Sequence, residues 1–254
     1  MGVTPDWPLR NNRPPSWRYQ EAQQIARSLA EFNGKSTSPS VDPVNHRTMA
    51  MLIEERSPNV RVFVNRQPGN PFGSNPELIR NKGAQFRMQG LIEDYSLKPI
   101  IQSTNFCRDL GNGLINEKDY WKKSLLELSL GYPRVPQWNP NHLQGVEGKF
   151  QFPIVKQIIR LVHVSEQGIK PSDFITAYHG HECDPTDIAF DRLKANPNNI
   201  PSQNMIRSIR ELMRLMGEFK IRGSDSKFGA GWLEEDSKGI FTLTDYGSDV
   251  AKSL

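Results

Sequence analysis

The sequence predicts a mainly α-helical protein with small β elements, an α+β class, arranged as two tandem subdomains. Three observations predict this. Apolar residues recur at helical spacing through several segments of each half. Short β-branched or alternating runs, Val60 to Val64 and Ile240 to Thr244, follow those helices. A stretch rich in Pro and Gly, residues 131–149, separates the halves. A chain of 254 residues gives each half enough length for a core of ordinary size.

Residues 1–16 hold four prolines and the polar run Arg10-Asn11-Asn12-Arg13, and read as an extended N-terminal arm. The first subdomain spans 17–130. Its first helix starts from Ser16 as N-cap, puts Trp17, Ala22, Ile25, Leu29 and Phe32 on one face, and stops at Gly34. Val44 to Glu55 reads as a second helix, Glu77 to Gln89 as a third stopped at Gly90, and Pro99 to Thr104 as strand. Tyr120 to Leu130 suits a connecting helix. After the linker, the second subdomain, 150–254, repeats the order. Its helices are Phe152 to Val164, Pro171 to Ala177 and Ser202 to Met216, followed by the Ile240 to Thr244 strand and a short helix after Asp245. Helices followed by a two-stranded hairpin are the winged-helix plan. The expectation is therefore two tandem winged-helix-like subdomains, mainly α with small β wings, repeated as elements without strong sequence repetition.

Composition narrows the function classes. The 36% hydrophobic and 24% charged residues suit a folded domain, and 19 Gly with 19 Pro imply many turns. The longest apolar stretch, Ile154 to Val164, is broken by Lys156, Gln157 and Arg160, short of the ~18 residues a membrane span requires. The N-terminus lacks a charged region followed by an apolar core, so a cytoplasmic protein with no membrane partner is expected. Two cysteines, Cys107 and Cys183, supply no disulfide framework and read as free thiols. A net charge of +4 is compatible with a polyanionic partner but does not identify one.

The third helix of the second half carries the best functional signal. Met205, Ile209, Leu212, Met213 and Met216 form an apolar stripe, while Gln203, Arg207, Arg210 and Arg214 form a basic one. Arginine bonds guanine bidentately in the major groove, and Gln203 or Asn204 can do so with adenine. Ser208 adds a hydroxyl on the same helix. The matching first-half helix offers Arg80, Lys82, Gln85 and Arg87, and the arm adds Arg10 and Arg13. A merely solvated arginine face is the competing structural reading. His179-Gly180-His181-Glu182-Cys183 contains zinc-type ligands, but at a spacing that departs from the common tetrahedral pattern, so no metal site is expected. Glu147-Gly148-Lys149 matches one element of a magnesium nuclease, yet no strand Asp precedes it, so no catalytic residue is assigned.

Several motifs together resemble the N-terminal recognition region of type IIS restriction endonucleases, particularly the AlwI-like family and its related nicking enzymes. They include Trp7-Pro8-Leu9-Arg10-Asn11-Asn12-Arg13-Pro14, Gly90-Leu91-Ile92, Tyr120-Trp121-Lys122-Lys123, Phe150-Gln151-Phe152-Pro153-Ile154, Lys170-Pro171-Ser172-Asp173-Phe174 and Leu243-Thr244-Asp245-Tyr246-Gly247. The resemblance implies recognition of a short, asymmetric site on double-stranded DNA by a monomer, with cleavage by a separate C-terminal domain absent from this chain. It also implies magnesium for the parent nuclease and no cofactor in the recognition region. The expectation is therefore a sequence-specific, non-catalytic DNA binder whose two third helices approach the major groove while wings and arm touch phosphates. Three other readings stand beside it: a tandem winged-helix transcriptional regulator, a small nuclease using Glu147 and Lys149, and a protein-binding winged-helix module.

Overall fold

The structure, a computed structural model, describes residues 18–36, 42–57, 86, 89–93, 100–128, 152–181, 184–195, 201, 203–220 and 227–254. These are mostly helical, with two short antiparallel strand pairs. They group into two compact units, 18–124 and 125–254. The N-terminal arm, the Val60 to Val64 strand and the 131–149 linker lie outside the described residues.

In the N-terminal unit, α1 (Tyr19–Glu31) has Arg18 at its N-cap, and the Glu21 carboxylate accepts the Arg18 amide at 2.8 Å. It buries Ala22, Ile25, Ala26 and Leu29, the face that the spacing predicts. Asp42 caps α2 (Pro43–Arg56) by accepting the Asn45 amide at 2.9 Å, with Pro43 in the first turn where its missing N–H costs nothing. Two elements differ from expectation. A short helix, α3 (Asn105–Gly111), follows the strand-like segment, and seven residues are too few to display periodicity. The helix expected from Tyr120 begins earlier, as α4 (Glu117–Trp121) capped by Asn116, and widens into a π turn at Lys122–Leu126. Helices α1 and α3 meet backbone to backbone. A Cβ on Gly111 would lie 2.9 Å from the Arg27 nitrogen, and the Cys107 thiol donates to the Ala26 carbonyl at 3.3 Å.

The C-terminal unit comprises α5 (Ile154–Ser165), α6 (Pro171–Tyr178), α7 (Thr186–Ala195), α8 (Gln203–Met216), β1 (Phe219–Lys220), β2 (Lys227–Phe228), β3 (Leu233–Glu235), β4 (Phe241–Leu243) and α9 (Asp245–Lys252). Helix α7 is not expected from the sequence, because Ala189 is its only buried residue and little apolar period results. Arg192 holds it in place by pairing with Asp184. The core clusters the buried rings of Phe152, Phe174 and Tyr178, whose centroids lie 5.2 to 6.2 Å apart, with the buried apolar residues of α5 and α8.

One hydrogen-bond pattern recurs in both units. In the C-terminal unit Ile169, between α5 and α6, bridges Phe241 of β4, and β4 pairs with β3. In the N-terminal unit Ser36, between α1 and α2, bridges Ile100, and Ser103 bridges Ile92. The order of extended segments is thus the same, with the last in sequence at the centre. The junction to the next helix also repeats. Gly90 and Gly231 share φ of 71°, and their carbonyls accept the hydroxyls of Thr104 and Thr244 at 2.7 Å each. The Thr104 and Thr244 amides reach the Leu91 and Trp232 carbonyls at 3.0 Å each. Each threonine then caps the helix it opens, α3 or α9, at 3.0 Å. At the glycine that precedes each junction the two units differ by an insertion. Leu91 bonds directly back to the helical Phe86 carbonyl around Gly90, whereas Trp232 bonds to the Met216 carbonyl across the intervening β1–β2 hairpin.

Candidate nucleic-acid interface

The candidate interface is the outer face of α8. Ile209, Leu212, Met213, Leu215 and Met216 are buried, which fixes the rotation of the helix, since each such side chain favours burial by about 1.5–3 kcal/mol. Met205, assigned to that stripe by spacing, is only half-buried near the N-terminal end. Helical geometry then dictates that Gln203, Arg207 and Arg214 face outward, and all three are exposed, with Arg210 and Ser208 half-buried beside them. The separation of an apolar and a basic stripe is as the spacing predicts.

The arginines are not equivalent. Arg214 is held side-on by Glu235 of β3, its Nε donating to Oε2 at 2.6 Å and its Nη2 to Oε1 at 3.1 Å. Arg210 Nε lies 3.8 Å from the same Oε1, so one carboxylate faces two guanidinium groups one helical turn apart. The Glu235 side chain is 21% exposed, against 44% and 45% for Arg210 and Arg214. Arg207 makes no hydrogen bond or ion pair with the described residues, and its guanidinium is open to a partner.

The β3–β4 turn shapes this face. Asp236 Oδ1 accepts the amides of Lys238 and Ile240, each at 2.8 Å, and these backbone bonds, that from Ile240 foremost, hold its carboxyl below the usual range. Gly239, at φ 75°, closes the turn, and a Cβ there would lie 3.3 Å from Arg210 Nη2. The hairpin carries Glu234, Glu235 and Asp236 against the single cation Lys238. That charge balance makes the hairpin a poor match to phosphate.

Neither Glu235 nor Gly239 is singled out by the sequence reading. A Glu-Glu-Asp run gives no sign of which strand or helix it will face, and the pairing with α8 is set by hairpin register.

Of the other expected site residues, Arg10, Arg13, Arg80, Lys82, Gln85 and Arg87, and the side chain of Asn204, lie outside the described residues. So do Glu147, Lys149, Glu182 and Cys183. His179 and His181 are exposed, with His181 Nδ1 3.9 Å from Asp184, and among the described residues no three His, Cys, Asp or Glu side chains group as metal ligands. Among the described residues no helix is long and apolar enough to cross a membrane. No family model, curated protein or solved structure matches the chain.

Proposed function

We propose that both units are winged-helix-like modules and that the chain binds double-stranded DNA sequence-specifically, with α8 entering the major groove. The observation that carries this reading is the outward stripe of Gln203, Arg207, Arg210 and Arg214 on a helix whose opposite face is buried. The repeated order of helices and extended segments supports the module assignment. A 14-residue helix is about 21 Å long, and the major groove, about 12 Å wide, accepts it. Arg207 reads bases or holds a phosphate, and the acidic hairpin stands off the backbone.

The resemblance to type IIS recognition regions supports a short asymmetric site bound by one monomer; a transcriptional regulator would select a palindrome as a dimer. The test is selection of bound duplexes from a random pool by the full chain at near-physiological salt, followed by a salt titration of the enriched duplex. An enriched sequence bound with affinity that falls steeply in salt supports the reading, and no enrichment overturns it.

A further inference from the structure

We infer that Glu235 is a specificity-determining residue of this interface, setting Arg214 to read a guanine edge rather than a phosphate. The inference rests on the DNA-binding reading above. Side-on pairing engages Arg214 Nε and one N–H of Nη2. Of the five guanidinium N–H donors, the two on Nη1 and the second on Nη2 remain. One from each nitrogen forms an end-on fork, and two parallel donors match the paired N7 and O6 acceptors of guanine.

Two further features favour a base over the backbone. Glu235 sets one negative charge beside the two guanidinium groups of Arg210 and Arg214, which weakens sequence-independent attraction to phosphates. It also holds a side chain that is otherwise rich in rotamers, so less ordering is required when the fork meets its acceptors. Gly239 leaves the space that Arg210 occupies beside this pair. The clamp therefore exchanges affinity for discrimination.

The experiment compares the wild-type chain with Glu235→Gln, Glu235→Ala and Arg214→Lys on two probes, the enriched duplex and a scrambled duplex, across a salt series. Circular dichroism melting establishes that each variant is folded, and the isosteric Glu235→Gln guards against collapse of the hairpin. Both Glu235 variants are expected to bind the scrambled duplex several-fold more tightly, with the salt slope steeper by about one. The ratio of specific to scrambled binding should fall about tenfold in all three variants. Replacing one guanine of the enriched site by 7-deazaguanine should weaken the wild type by a similar factor and weaken Arg214→Lys less, because an ammonium lacks the planar fork. An enriched site whose discrimination is unchanged in folded Glu235 variants overturns this inference alone and assigns Arg214 to phosphate. No enriched site for the wild type overturns the DNA-binding reading, and this inference with it.

Discussion

Ile169 and Phe241 exchange both backbone hydrogen bonds, at 3.0 Å from the Ile169 amide and 2.8 Å from the Phe241 amide. A residue between α5 and α6 is thereby tied to β4, the middle one of three extended segments, whose other neighbour is β3. The approach is close enough to require glycine next door. Gly168 has φ of 77°, and a Cβ there would meet the Phe241 carbonyl oxygen at 2.5 Å. Gly168→Ala should destabilise the protein by about 3 kcal/mol. Gly231→Ala, at φ 71° with nothing within 4 Å, should cost only about 1 kcal/mol. Urea unfolding of the two variants measures the difference, and equal losses would show that the close approach is not what matters.

The repeated threonine junction makes a second prediction. Thr104 and Thr244 each donate to a glycine carbonyl and accept a helix-capping amide. Each Thr→Ala substitution should cost about 1–2 kcal/mol. The double variant should lose the sum in an equilibrium unfolding measurement, because the two junctions share no hydrogen-bond partner.

Stability and binding should separate on α8. Leu212 is buried and Arg207 exposed. Leu212→Ala should lower stability by about 2–5 kcal/mol. Arg207→Ala should leave unfolding within about 0.5 kcal/mol of wild type while weakening the enriched duplex about tenfold, read by fluorescence anisotropy.

Asp236 gives the hairpin a pH dependence of known sign. The Ile240 amide foremost, and the Lys238 amide with it, hold its carboxyl below the ordinary aspartate value, so folding favours the ionised form. The contribution is present above about pH 4 and is lost as pH falls through the lowered folded value. The Asp236 carboxyl-carbon chemical shift should titrate at lower pH in the native protein than in urea, and Asp236→Ala should flatten the acid side of the melting profile.

Cys107 should be chemically inert. Burial pushes its thiol up to about 12, and its Sγ donates to the Ala26 carbonyl. Peptide mass spectrometry after alkylation at pH 8 should find Cys107 unmodified in the native protein and modified in urea.

Helices with a sustained apolar period were legible in the sequence, because burial of one face imposes that period on the residues themselves. The faces of α1 and α8 follow from spacing alone. Helices α3 and α7 were not legible, one being too short to show a period and the other burying a single alanine. The basic stripe of Gln203, Arg207, Arg210 and Arg214 was legible for the same reason as the core face opposite it.

Residue spacing therefore sufficed to tell the apolar side of α8 from the basic one, since helical geometry converts spacing into direction. That Glu235 takes Arg214 side-on while Arg207 stays open came from the folded chain alone. The pairing depends on hairpin register and on the turn at Gly239, and contacts between residues distant in the chain leave no period in the sequence.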